Sequence, residues 1–233
     1  MKDAALEYGS SFPLMWQTLP EALQQNGHWE KPDIFGEVAD NPERLKTHHR
    51  MLRSYALHDF TSIPSALGLN GNEHVVDAGG GFGALALLLL DAFPELRVTV
   101  LDLPEVIEYA KKQCSGSGRL KWCPLDFFKP WNLQANVVLL TRILHDWNDQ
   151  GAIQILRRAR ESLSSGGKIF VVEMLLSPES MNGSLCDLHL LMATGGQERT
   201  EDEYSSLFKA AGFSLSTVKR LPALPSILMG VAQ

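Results

Sequence analysis

The stretch His74-Val75-Val76-Asp77-Ala78-Gly79-Gly80-Gly81-Phe82-Gly83 has the residue types and spacing of a ligand-binding turn. A β-branched run ends in an acid, four glycines fall within five positions, and an apolar run follows. That pattern describes a buried strand turning sharply into a helix, with backbone exposed at the turn. Side chains there would hold a ligand away from the backbone, so the glycines point to close approach by a nucleoside cofactor. Nineteen residues past Gly83, a second strand ends at Asp102, where doubly wound folds place an acid that binds a ribose diol. A dinucleotide and S-adenosylmethionine both carry that ribose. The spacing Gly79-x-Gly81-x-Gly83 departs from G-x-G-x-x-G, and Asp77 directly before the turn suits an amino-acid ammonium and repels a pyrophosphate. S-adenosylmethionine is favoured.

The elements that position this turn follow from periodicity and punctuation. Residues 1–70 read as a helical N-terminal segment: a short amphipathic stretch over 12–25 interrupted by Pro13 and Pro20, a loop over 27–36, and a helix capped by Asn41 with Pro42 at its first position. That helix runs to Asp59 with His48 and His49 on a solvated face, and a short helical turn lies within 62–69. From residue 71 the period changes. Strands are expected over 75–77, 97–102, 120–123, 137–141 and 168–173, alternating with helices over 84–93, 104–112 and 149–163, and a Ser/Gly linker spans 115–118. A Ser-Ser-Gly-Gly turn at 164–167 enters the fifth strand, and Asp149 reads as the cap of the helix before it. Helices over 184–193 and 201–211 follow, then strands over 214–219 and 226–231. The last two are joined too closely for a crossover helix, so one must run antiparallel. The result is an α/β, Rossmann-like fold: a seven-stranded, mainly parallel sheet with an antiparallel edge hairpin. Residues 71–233 form the cofactor-binding domain and 1–70 its helical connector.

Composition narrows the function classes. The chain has 233 residues, 45% hydrophobic and 21% charged, with net charge -6, which offers no basic field for nucleic acid or an anionic membrane. Cys114, Cys123 and Cys186 are odd in number and scattered, the usage of free thiols in a reducing compartment. The longest apolar run, 84–90, is too short to span a bilayer, and Met1-Lys2-Asp3-Ala4 lacks a signal peptide's apolar core. A cytoplasmic location is expected. No metal-ligand cluster is visible along the sequence.

Five blocks then match a known family in order and spacing: Val75-Val76-Asp77-Ala78-Gly79-Gly80-Gly81-Phe82-Gly83, Leu101-Asp102-Leu103-Pro104-Glu105-Val106, Asp126-Phe127-Phe128, Arg142-Ile143-Leu144-His145-Asp146-Trp147 and Gly195-Gly196-Gln197-Glu198-Arg199-Thr200. Over residues 40–233 the chain resembles the small-molecule O-methyltransferases that include acetylserotonin, caffeate and polyketide O-methyltransferases. The resemblance implies that Asp77, Gly79 and Gly81 line the methionine end of S-adenosylmethionine and that Asp102, with Leu103 beside it, holds the ribose. It implies that Asp126 and Phe127 flank the adenine and that Arg142 lines the cofactor pocket. His145 matches the base that takes the acceptor hydroxyl's proton, and Glu173 and Glu198 match the acids that orient it. These residue types suit the reaction. A phenol is a poor nucleophile at neutral pH until a base removes its proton, and a carboxylate fixes a histidine's tautomer. Met174, Leu188, His189, Leu191 and Met192 are candidates for an acceptor pocket or for core.

The expected activity is methyl transfer to a hydroxyl of an aromatic or polyketide-like small molecule. The alternatives are a cofactor-binding module without transfer, regulatory or partner-dependent, and a relative with decarboxylase or hydroxylase chemistry. The family's N-terminal winged-helix domain is not matched by residues 1–70, so a homodimer formed through it, and an acceptor pocket closed by it, stand open.

Overall fold

The computed structural model of the protein describes residues 2–24, 29–30, 34–114, 118–177, 181, 183–222 and 225–233. Parts of the expected 27–36 loop, residues 115–117 of the Ser/Gly linker, Gln25, and residues 223–224 of the last connection lie outside the described residues.

Among the described residues six helices come first: α1 (Lys2–Gly9), α2 (Ser11–Trp16), α3 (Leu19–Ala22), α4 (Ile34–Ala39), α5 (Pro42–Asp59) and α6 (Ile63–Ala66). The Asn41 side chain caps α5, accepting from the Glu43 and Arg44 N–H groups, and Pro42 opens it. The expected loop over 27–36 is corrected at its end, where Ile34 and Val38 are buried and α4 forms. Alternation then begins: β1 (His74–Ala78), α7 (Ala84–Ala92), β2 (Arg97–Asp102), α8 (Pro104–Gln113), β3 (Leu120–Pro124), β4 (Ala135–Thr141), α9 (Asp149–Ser162) and β5 (Leu163–Glu173). The chain closes with α10 (Ser184–Thr194), α11 (Glu201–Ala210), β6 (Phe213–Arg220) and β7 (Ser226–Ala232).

The seven strands lie in the order β3-β2-β1-β4-β5-β7-β6. Strands β1 to β5 are parallel, and β7 runs antiparallel to both β5 and β6, as the short final connection requires. β5 begins earlier than expected: Leu163 pairs with Ala135 before a register shift, so the Ser/Gly stretch is carried as an irregular entry to the strand, with Gly166 at φ +73°.

The central strands bury both faces, so their apolar residues are continuous rather than alternating. Val76, Val138 and Leu140 pack towards α9 and α11, while Val75, Leu139 and Val172 pack towards α7. Helix α7, ALALLLLDA, is apolar nearly all round and is buried accordingly. A third cluster joins Phe12, Met15, Ile34, Leu45 and Met51 of the N-terminal helices to Phe82, Val106, Ala110 and Met192. Met192, at 0% exposure, is therefore core. Strand order reverses between β1 and β4, and a ligand crevice opens outside the carboxyl ends of strands at such a switch point. The loops after β1 and β4 are the ones that carry Asp77 to Gly83 and Arg142 to His145.

Candidate active site

The turn after β1 is built from backbone. Gly79, Gly81 and Gly83 hold φ of +74°, +56° and +73°, a region L side chains rarely enter. Gly79 is the most constrained, because a Cβ there would lie 2.2 Å from Ile143 Cδ1. The Gly81 and Leu103 N–H groups donate to the two oxygens of Asp102, at 2.7 and 2.8 Å, so β2 ends against the turn as the spacing anticipated. Phe127 reaches the same place, its ring edge 3.6 Å from where a Gly79 Cβ would sit. Asp126 does not join them by hydrogen bond; its Oδ1 accepts from the Phe128 N–H at 2.9 Å and shapes its own turn.

The charge at this end is one-sided. Asp77 is 1% exposed, and its Oδ2 has no hydrogen-bond partner among the described residues. Burial, then the neighbouring Asp102, lifts its carboxyl to about 7. Burial lifts Asp102 to about 6 against the pull of its two backbone donors. An orphaned buried carboxylate beside bare backbone suits a cationic group on a nucleoside ligand.

His48 and His49 correct an expectation. They do not lie on a solvated face: burial pushes them down to about 4 and about 3, with Arg44 and His48 respectively adding to it. The His49 ring stacks on Phe82, centroids 4.8 Å apart, and its Nδ1 is 3.4 Å from where a Gly81 Cβ would sit. Their positions three and four residues past buried Leu45 were the available signal.

The turn after β4 is built from side chains. Arg142 takes φ +58°, and Leu144–Asp146 forms a short 3₁₀ turn. Glu173, at the end of β5, accepts from the Ile143 and Leu144 N–H groups through Oε1, both at 2.9 Å. Its Oε2 lies 3.4 Å from His145 Nδ1. Glu198 Oε1 lies 3.3 Å from the same Nδ1 and 2.9 Å from Arg142 Nη1. His145, Glu173 and Glu198 are 4%, 0% and 2% exposed. The structure thus assembles these three predicted residues and brings Arg142 to the acid pair, with its other branch 3.2 Å from Cys186 Sγ.

Burial and Arg142 push the His145 pKa down, but Glu173, Asp146 and Glu198 outweigh them and the net direction is up. Burial raises Glu173. For Glu198, burial pushes up, but the His145 hydrogen bond and Arg142 overcome it and the carboxyl stays low. Glu198 is thus held ionised beside the ring, and Glu173 also anchors backbone. The expectation of no metal-ligand cluster needs correction in space: ligand atoms of His145, Glu173 and Glu198 lie within 4.8 Å of one another, and Arg142 supplies the positive charge among them.

Asp149 is a further correction. Asn148 caps α9, accepting from the Gly151 N–H, while Asp149 Oδ1 accepts from Arg199 Nε at 3.0 Å. Sequence reasoning missed this pair because its members are separated by 50 positions, with no local pattern to link them.

A family model described as an O-methyltransferase domain matches residues 16–214. The chain belongs to this O-methyltransferase domain family. A phenazine O-methyltransferase of Lysobacter antibioticus is 34% identical over 189 residues, covering 79% of this chain and 55% of the relative. Acetylserotonin O-methyltransferase of Gallus gallus is 31% identical over 241 residues, covering 96% and 68%. Among solved structures, an O-methyltransferase from neocarzinostatin biosynthesis, in complex with S-adenosylmethionine and 2-hydroxy-5-methyl naphthoic acid, superposes with TM-score 0.87 at 27% identity, covering 96% of this chain and 69% of that one. The chain spans about half to two-thirds of the length of the first curated relatives it matches. For this O-methyltransferase domain, the Asp77 orphan and the glycine turn fit the ammonium-bearing end of S-adenosylmethionine, and Asp102 fits its ribose. Among the described residues no helix is long and apolar enough to cross a membrane.

Proposed function

We propose that the chain binds S-adenosylmethionine at the β1 turn and transfers its methyl group to a hydroxyl of an aromatic or polyketide-like small molecule, with His145 as general base. One observation carries the reading: a buried histidine whose Nδ1 faces two carboxylates at 3.3 and 3.4 Å, on the loop beside the glycine turn. Asp77, Gly79 and Gly81 would hold the methionine end, Asp102 and Leu103 the ribose, and Asp126 and Phe127 the adenine. S-adenosylmethionine supplies, when bound, a sulfonium-activated methyl group for in-line displacement.

Glu173 and Glu198 keep the proton on Nδ1, and Nε2, with Asp146 Oδ2 beyond hydrogen-bond distance at 3.6 Å, is left to accept the acceptor hydroxyl's proton. The ionised Glu198 then stabilises the imidazolium, and Glu173 holds the main chain from which the ring projects. Arg142 offsets one of the two carboxylates and leaves the other to pair with the imidazolium, so that protonating His145 brings no uncompensated charge into a buried site. Residues 1–70 act as the connector and 71–233 as the catalytic domain.

Labelled S-adenosylmethionine offered with a panel of phenols tests this. Wild type is expected to transfer label, and His145→Ala to fall by roughly 100- to 10,000-fold while S-adenosylhomocysteine binding persists. Transfer undiminished in His145→Ala rules out the assigned base.

A second reading has one observation in its favour. Leu6, Tyr8, Leu14, Leu23, Phe35, Leu52 and Leu57 are exposed on or beside the N-terminal helices, which supports an acceptor site completed by a second copy. Specific activity that rises with protein concentration would support it, and activity independent of concentration would remove it.

A further inference from the structure

Arg199 is 1% exposed, and its guanidinium pairs with Asp149 at 2.9 Å. A buried guanidinium is costly unless its donors all find acceptors. Here Nη1 donates to Leu144 O at 3.1 Å and Nη2 to Trp147 O at 2.7 Å. Nε donates to Asp149 Oδ1 at 3.0 Å. The two carbonyls lie on either side of His145, in a short turn whose own closure is the Trp147 N–H donating to Leu144 O at 3.2 Å.

The same segment touches the turn again. The Gln197 N–H donates to His145 O at 2.8 Å. Gly196 packs so closely that a Cβ there would lie 2.0 Å from His145 O and 2.8 Å from Asp146 Cα. Between Gln197 and Arg199 sits Glu198, whose carboxylate faces His145 Nδ1. The segment is itself anchored, since the Leu176 N–H donates to Arg199 O at 3.0 Å just after β5, and the Glu198 N–H donates to Asp187 Oδ1 at 2.8 Å.

We propose that Arg199 is a positioning residue for the base: its fork fixes the main chain on both sides of His145, so one strap sets the separation from Glu198 and the aim of Nε2. The inference rests on the reading of His145 as general base. Only a planar fork can reach two carbonyls and a carboxylate at once; a lysine ammonium is a single point on a flexible stem. Displacing a reacting group by about 1 Å can cost roughly 100-fold in rate with little change in binding.

The test compares Arg199→Met, Arg199→Lys and Asp149→Asn with wild type, by kcat, KM for both substrates, titration with S-adenosylhomocysteine and thermal melting. Expected is a kcat loss of about 100-fold for Arg199→Met, a smaller loss for Arg199→Lys and roughly fivefold for Asp149→Asn. S-adenosylhomocysteine affinity and KM should stay within about twofold. The acidic limb of the pH profile should also move towards the ordinary histidine value as Glu198 and His145 lose their spacing.

A folded Arg199→Met with kcat near wild type overturns the proposal, as does a parallel loss of cofactor affinity and kcat, which marks a general structural role. If Arg199→Met does not fold, the other two variants decide, and normal kcat in both overturns it. His145→Ala run alongside separates the failures. Activity in that variant removes the base itself, whereas an inactive His145→Ala beside normal Arg199 variants removes only the strap.

Discussion

Asp77 near the end of β1 and Asp102 at the end of β2 meet at the glycine turn, the first buried and the second half-buried, and both are held well above the usual carboxylate range. Around the turn after β4, Glu173 and Glu198 are both fully buried, yet Arg142 and His145 stand within 4 Å of them. Among the described residues the first pair lacks a positive partner; the second has one built in. A turn short of positive charge suits a cationic ligand, which can supply what the protein leaves out. A cluster with two carboxylates against one fixed cation suits proton transfer, because the imidazolium that forms meets a carboxylate already in place and creates no unpaired buried charge. On the proposed reading the β1 turn, made largely of backbone, would be the receiving side and the β4 turn, made of side chains, the working side. Gly79 against Ile143 is a direct contact between them.

That contact gives the largest expected effect. Gly79→Ala places a methyl at φ +74° and into Ile143. Strain and overpacking of roughly 2–4 kcal/mol should weaken S-adenosylhomocysteine by about 30- to 1000-fold and, through Ile143, slow transfer as well. Loss of affinity alone would show that the two sides are independent.

Glu198→Gln should act only on the working side. Removing the ionised partner lowers the His145 pKa and is expected to cut transfer roughly 100-fold, leaving S-adenosylhomocysteine affinity within about twofold. Calorimetric titration beside the kinetics checks both halves of that statement.

Asp77→Asn should act only on the receiving side. In the free protein Asp77 ionises at about 7, so pairing with an ammonium strengthens as pH rises through that value and weakens below it. Wild-type affinity for S-adenosylhomocysteine should therefore climb between pH 6 and pH 8, with Asp102 contributing to the lower part of the rise at about 6. Asp77→Asn should be weaker by roughly tenfold at pH 8 and flatter across the range. An unchanged pH dependence would take Asp77 out of the ammonium's reach.

The smallest effect is a control outside both sides. Asn41→Ala removes the cap that holds the Glu43 and Arg44 N–H groups and should cost about 1 kcal/mol of stability, read by thermal melting, with no change in affinity or rate.

The receiving side was legible in the sequence because its information is local. Asp77, three glycines and a following helix lie within a few positions, and Asp102 is fixed one strand later by the period of the fold. The antiparallel β7 was legible for a similar reason, since a short connection permits nothing else. The working side was harder. His145, Glu173 and Glu198 come from three segments and were recognised through resemblance, while Arg142's engagement with both acids emerged only in three dimensions. Asp149 was misread as a cap because its partner, Arg199, belongs to a strap that the fold brings across the turn. His48 and His49 were misread because polar residues on a helix ordinarily face water, whereas α5 packs against α1, α4 and α7. Sequence patterns report chain neighbours well; charge partners far apart in the chain depend on the packing.

General-base catalysis by His145 turns on the tautomer and charge of one ring. Nitrogen-15 NMR of labelled His145, followed through a pH titration in wild type and Glu198→Gln, measures both. The expected result is a proton on Nδ1 and a bare Nε2 in the neutral form, with a pKa above the ordinary 6.5 that falls when Glu198 loses its charge. A neutral ring carrying its proton on Nε2, or a pKa below 6.5 that ignores Glu198, would contradict it.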